Sequence, residues 1–348
     1  MIKRLDIYFP NIARQTIMIL DAAHFNCQTA QMNERHLYPF PVSVNEAVEH
    51  LNNGAVVAMP TETVYGLAGA AFNDDAVLKI FKTKGRPKFN PLIVHCADMG
   101  MAQSIADFSP LAHELAAAFW PGPMTLVLPK KQSAKISDLV TAGLETVAIR
   151  LPKHPLAREL LLKFAQPVAA PSANPSGKLS PTSAQHVIEG FKNTVPVVDG
   201  GACEAGVEST ILAVLDNRIV LLRPGSISAE MVTAATGLVV ELPQSNKVVA
   251  PGMLKSHYAP NASVRLNVTK PSGEEAFLGF GTIAGVGASS RNLSPSSDLA
   301  EAAKNLFQYL RELDATGAPT IAVAPIPNEG IGIAINDRLT RAAADRAL

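Results

Sequence analysis

Apolar residues along this chain recur with two spacings, and the switches between them lay out the elements. Val44, Ala47, Val48 and Leu51 fall at helical intervals behind Ser43, a residue type that caps helix starts, with Gly54 just past the end. The continuous apolar run Gly54–Met59 then predicts a buried strand. Further helices are expected over Asp74–Lys84, Met99–Asp107, Leu111–Phe119, Pro155–Phe164 and Pro181–Glu189. Strands are expected over Pro91–His95, Met124–Leu128, Thr146–Arg150, Val168–Ala170 and Val195–Val198, and Ser209–Val214 with Ile219–Leu222 reads as a hairpin across Leu215–Arg218. Helices alternate with strands, yet strands also follow one another directly, so the pattern predicts an α/β sheet of mixed direction.

Periodicity stops over Glu241–Ala262, a polar stretch with three prolines that reads as a linker. Beyond it, strands at Ser263–Val268, Ala276–Phe280 and Thr320–Ala324 and helices at Asp298–Leu313 and Ile333–Ala347 make a small second α/β domain. The chain therefore divides into an extension over 1–42, a main domain over 43–240, the linker over 241–262 and a final domain over 263–348. Gly279-Phe-Gly-Thr-Ile-Ala284 fits a dinucleotide-binding spacing after a strand, but Gly285-Val-Gly-Ala-Ser-Ser-Arg-Asn292 does not open a helix, so that requirement fails.

At 348 residues, 47% hydrophobic and 17% charged, the chain is long enough for two buried cores. Thirty basic and thirty acidic residues cancel, so net charge gives no argument for a nucleic-acid footprint. Three scattered cysteines, Cys27, Cys96 and Cys203, suit neither a disulfide framework nor a zinc site and read as reduced thiols of a cytoplasmic protein. No window approaches a membrane span, and Lys3, Arg4, Asp6 and Arg14 interrupt the run that a signal peptide needs. Residues 1–42 read either as a strand-like extension or as the product of a start codon placed too early.

The chemistry gathers where strands end. Pro60-Thr-Glu-Thr-Val-Tyr-Gly-Leu67 runs from a strand into hydroxyls beside a carboxylate, groups that suit an amino acid. Lys84 and Arg86, restrained by Pro87 and Pro91 and followed by Asn90 and His95, supply a point charge and a planar fork for phosphate or carboxylate. Taken alone, such a cation pair is a helix-end charge run and a strand-end histidine is a satisfied core residue. Arg150 ends an apolar strand, so its guanidinium must leave the core. Ala170-Pro-Ser-Ala-Asn174, Gly206-Val-Glu-Ser-Thr210 and Leu222-Arg-Pro-Gly225 repeat the theme of small hydroxyls and strand-end cations. No Walker-type loop, nucleophile triad or paired-carboxylate arrangement is present. The inventory is one of binding groups, which implies catalysis by positioning and charge stabilisation.

Together with Trp120-Pro-Gly-Pro-Met-Thr125 and the Thr141–Arg150 run, these motifs resemble the YrdC-type threonylcarbamoyl-AMP synthases, and Pro251–Pro260 is similar to the linker of their long, two-domain form. The resemblance implies a twisted mixed sheet around a concave cavity, with a small Rossmann-like α/β domain after it. It implies that L-threonine, bicarbonate and ATP, with Mg2+ riding on the triphosphate, give threonylcarbamoyl-adenylate and pyrophosphate. Proteins that modify tRNA would then receive the product. By position, Thr63, His95, Arg150 and Ser209 would hold threonine; Arg86, Asn90, Thr146, Ser172, Ser180 and Arg223 would hold ATP; Lys84 and Arg86 would serve catalysis; and His257 and Tyr258 would form a lid. The family's linker often carries an Arg where this chain has Ser256, which removes one phosphate contact. The competing reading is a regulatory module of the same fold that binds double-stranded RNA without turnover; in the enzymatic reading any RNA contact is weak. A paralogue of the YciO type and a carbamoyl-transferring maturation enzyme are further rivals, the latter opposed by the cysteine count.

Overall fold

The computed structural model describes Tyr38 to Ala344 apart from residues 39, 216, 244–256 and 286–288. The expected extension up to residue 37, and the linker from 244 to 256, lie outside the described residues. A nine-stranded sheet of mixed direction forms the first lobe. Its strands are β1 (Val57–Met59), β2 (Gly66–Ala70), β3 (Ile93–His95), β4 (Met124–Pro129), β5 (Thr146–Arg150), β6 (Val168–Ala169), β7 (Thr210–Leu215), β8 (Arg218–Arg223) and β9 (Val240–Glu241), arranged in the order β1-β2-β6-β3-β5-β4-β7-β8-β9. Around it pack α1 (Val44–Asn52), α2 (Asp74–Lys84), α3 (Met99–Ile105), α4 (Pro110–Phe119), α5 (Asp138–Thr141), α6 (Pro155–Phe164), α7 (Ala184–Phe191) and α8 (Ala229–Thr236).

Most helix starts follow the sequence closely, although the helix expected from Pro181 to Glu189 runs from Ala184 to Phe191. Ser43 and Glu46 form a reciprocal capping box on α1, and the side chains of Asn73, Asp98, Ser109 and Ser183 cap α2, α3, α4 and α7. The β7–β8 hairpin forms as its alternation predicts. The strand expected over Val195–Val198 is a single parallel bridge between Val197 and Ala58, the middle residue of β1. Conversely β2, Gly-Leu-Ala-Gly-Ala, is buried on both faces and gives no alternation to read.

Register brings the functional strand ends to one edge of the sheet. β3 and β5 are parallel with His95 beside Arg150, and β4 runs antiparallel to β5. β7 runs parallel to β4 from Thr210, and antiparallel β8 returns to place Arg223 opposite Ile211. The ends of β3, β5 and β8 and the start of β7 therefore share one side. Thr146 opens β5 at the other end, roughly 13 Å away at about 3.3 Å per residue.

The second lobe is a parallel sheet, β10 (Ser263–Arg265), β13 (Thr320–Val323), β11 (Ala276–Gly279) and β12 (Ser290–Asn292) in that order, with α9 (Leu299–Asp314) and α10 (Gly332–Ala343). Between Gly279 and α9 the described residues form turns and β12 and no helix, so the Gly279–Ala284 spacing lacks the helix start that a dinucleotide site uses. The core of this lobe takes in Val64, Leu179 and Val207 from the first lobe along with Tyr258. Gly206 sits at the seam with φ of +71°, and a Cβ there would come within 2.4 Å of the Ala303 carbonyl and the Lys304 Cα on α9.

Candidate active site

Thr61 organises the first wall. Its Oγ1 donates to the Val64 carbonyl at 2.7 Å and accepts from the backbone N–H of Thr63 at 3.2 Å, a hydroxyl turn that directs Glu62 and Thr63 inward. Arg150 meets both: Nη2 donates to Glu62 Oε1 at 2.6 Å, Nη1 to Thr63 Oγ1 at 2.8 Å, and Nε to the Gly122 carbonyl at 3.2 Å. Burial works to raise the Glu62 carboxyl, but the charge and hydrogen bond of Arg150 outweigh it and hold the group below its ordinary value. His95, next to Arg150 in the sheet, is pulled down to about 3 by burial and by the Arg150 charge, so it is a neutral imidazole. Its Nδ1 is buried and has no hydrogen-bond partner.

The second wall comes from the β7–β8 hairpin and the α2–β3 connection. Arg223 Nη2 donates to Ser209 Oγ at 3.0 Å, and that hydroxyl lies 2.8 Å from Thr125 Oγ1. Gly85 closes α2 in the left-handed conformation at φ of +63°, which turns the chain so that Arg86 folds back over its own loop. Arg86 Nη2 then donates to the Pro91 carbonyl at 3.0 Å. Lys84 Nζ donates to the carbonyls of Ser172 and Asn174 at 2.5 and 2.6 Å and so pins the Ala170–Asn174 loop against α2. Burial, and then the nearby Arg86, pull Lys84 well below its ordinary value, and burial pulls Arg86 to about 10. Both amide atoms of Asn90 are buried without partners.

Between the walls lies a pocket lined by Thr63, Arg86, His95, Arg150, Ser172, Ser209 and Arg223 together with Glu208, His257 and Tyr258. Four further residues of the expected set lie off this lining. Lys84 and Asn90 stand behind it, Thr146 is at the far end of β5, and Ser180 is fully buried with its hydroxyl donating to Glu208. His257 and Tyr258 are themselves buried; burial draws His257 down to about 3 and pushes the Tyr258 phenol up.

Sequence reasoning passed over two charged residues here. Glu208 appears in the Gly206–Thr210 run only as part of a hydroxyl cluster, yet it faces the cavity. Arg338 on α10 is 1% exposed and donates from Nε to Glu208 Oε2 at 2.8 Å. Its signal is positional: it stands at helical spacing from buried Ala334, Ile335 and Ala342, on the apolar side of its helix.

A concave site with fixed cations, hydroxyls and orphaned buried polar atoms is built to be completed by a ligand. Residues 49–225 match the sequence model of the family described as "Telomere recombination", and residues 227–344 match that of the "Threonylcarbamoyl-AMP synthase, C-terminal domain". The threonylcarbamoyl-AMP synthase of Bacillus subtilis is 41% identical over 88% of this chain and 94% of its own length. The chain belongs to the threonylcarbamoyl-AMP synthase family. The synthase of Pyrococcus abyssi is 39% identical over 87% of this chain and 94% of its own. The crystal structure of P. abyssi Sua5 complexed with L-threonine superposes with a TM-score of 0.79, at 36% identity, covering 86% of this chain and 94% of that one. Membership of the synthase family over both lobes favours the enzymatic reading over an RNA-binding module without turnover. In this family member, no helix among the described residues is long and apolar enough to cross a membrane.

Proposed function

We propose that this site makes L-threonylcarbamoyl-adenylate from L-threonine, bicarbonate and ATP, releasing pyrophosphate. The observation that carries the proposal is the division of one cavity into two walls. On one, Thr63, Arg150 and His95 offer a hydroxyl, a guanidinium and a neutral imidazole, a set that matches the carboxylate, amine and hydroxyl of threonine. On the other, Arg86, Arg223 and Ser172 present cations and a hydroxyl to a triphosphate without a P-loop. Ser209, bonded to Arg223, stands between them and serves threonine.

In the proposed reaction the threonine amine attacks bicarbonate, giving a carbamate and water, or attacks its dehydrated form, giving a carbamate and a proton. A carbamate oxygen then attacks the α-phosphorus, and the bond to the β-phosphate oxygen breaks to release pyrophosphate. Arg86 spreads the charge of the departing pyrophosphate, while Lys84 fixes the loop that carries Ser172. Asn90, with its amide unpartnered, supports the nucleotide from behind Arg86. His257 and Tyr258 exclude water from the reacting groups.

Magnesium bound to the triphosphate would supply charge neutralisation at the phosphates. Among the described residues no group of three or more His, Cys, Asp or Glu side chains is placed to cage an ion. The product is a mixed anhydride, which must pass to a transfer reaction before water reaches it; tRNA-modifying proteins of the cytoplasm are the proposed recipients.

Incubation with labelled bicarbonate, ATP and each amino acid in turn tests the assignment. Pyrophosphate release that depends on threonine is the expected result. Release that ignores the amino acid, or none at all, would overturn it.

A further inference from the structure

Arg338 is among the most deeply buried charged side chains of the chain, and it arrives from the second lobe. A cation taken out of water to this depth is costly unless its bonds are made inside the protein. Three contacts hold it. Nε donates to Glu208 Oε2 at 2.8 Å, Nη1 to Asp337 Oδ2 at 2.8 Å, and the guanidinium carbon stands 5.4 Å from the centre of the Tyr258 ring. Arg338 does not line the cavity, but Glu208 does. The other carboxylate oxygen of Glu208 accepts from Ser180, so the group is held from both lobes at once.

Glu208 is out of place in a polyphosphate pocket. It shares the lining with Arg86 and Arg223, and an unpaired carboxylate there would repel phosphate and draw the same cations that phosphate needs. The mutual influence of Glu208 and Arg223 on each other's protonation reflects that proximity. We propose that Arg338 is a positioning residue for the reaction: by occupying Glu208 it keeps that carboxylate from competing with the nucleotide's phosphates at this wall, which makes charge compensation at the wall of the site a contribution of the second lobe. The inference rests on the synthase reading.

The test uses the full chain with R338M, R338K and the double variant R338M/E208Q, each measured for ATP KM, threonine KM, kcat and melting temperature. R338M is expected to raise the ATP KM about tenfold or more, while the threonine KM moves less than about threefold. R338K, which keeps the charge, is expected to stay within about threefold of the wild type. The double variant removes the carboxylate as well, so its ATP KM returns to within about threefold of the wild type despite the loss of both partners. A role confined to stability would lower the melting temperature of R338M and leave the ATP KM of the folded protein unchanged, which overturns the proposal. Should R338M fail to fold, the double variant is compared directly with the wild type, and a rise of about tenfold or more in its ATP KM overturns the proposal. A wild-type protein that releases no pyrophosphate with threonine overturns the synthase reading instead, so the two failures are separable.

Discussion

Arg150 and Glu62 form a salt bridge of 2.6 Å in which the two side chains are only 4% and 5% exposed. The pair joins the end of β5 to the Thr61 turn, and the backbone N–H of Lys153 donates to the second oxygen of Glu62 at 3.0 Å. Glu62, Thr63 and Arg150 are thus bonded to one another across the proposed amino-acid wall of the site.

Substituting one member of that pair leaves the other buried and uncompensated. R150M is expected to lower unfolding free energy by about 3–5 kcal/mol, read from urea titration. R150K keeps the charge but not the fork that reaches Glu62 and Thr63 together, so its threonine KM should rise about tenfold or more. An unchanged threonine KM in folded R150K would remove Arg150 from the amino-acid wall.

Arg86 offers a cleaner test of chemistry because its bonds close only its own loop. R86A is expected to lower kcat for pyrophosphate release about a hundredfold, the scale seen when one preorganised charge donor is removed. Threonine binding, followed by calorimetry, should change less than about threefold. A variant that retains a normal rate contradicts the assignment.

Stability should fall as the solution is acidified from neutrality. His95 and His257, both pulled from 6.5 to about 3, refuse protons that the unfolded chain accepts. Between those values the unfolded state binds more protons, so stability rises with pH and is lost on acidification, by about 1.4 kcal/mol per histidine for each unit below 6.5. Glu62 and Glu208, held below their ordinary values, add a further loss that begins near 4.5. Urea midpoints at pH 7.5 and 5.5 measure the first effect, to which His186, lowered to about 4 by burial, also contributes, so H257Q should remove about a third of it. A midpoint that does not move between the two pH values would contradict the neutral burial of both rings.

Gly206 is a close approach between the lobes. G206A forces a Cβ against the backbone of α9 and asks an L-residue to hold φ of +71°. Destabilisation of about 2 kcal/mol or more is expected, with the two lobes' packing disturbed together. Thermal melting compared with a substitution at Gly237, whose Cβ would meet nothing within 4 Å, separates the clash from the backbone strain.

Helices with apolar residues at helical spacing were legible in the sequence, α1, α2 and α9 among them, because that signal is local. β2 was not, since Gly66–Ala70 is buried on both faces and made of small residues. The strand-end cations were legible because an arginine after an apolar run has to go somewhere. The positions of Thr146 and Ser180 were not. Which end of β5 faces the cavity is fixed by its antiparallel pairing with β4, and what Ser180 binds is fixed by Glu208, and neither relation is local. Arg338 was hidden for the same reason, 130 residues from its partner in the chain.

The second lobe's core includes Val64, which also lines the cavity. A chain synthesised from its N-terminus can fold most of the nine-stranded sheet early, but the core that takes in Val64 along with Leu306, Phe307 and Leu339 forms only when that last region has emerged. The first lobe therefore waits with a half-built pocket until the segment that carries α9 and α10 has been made.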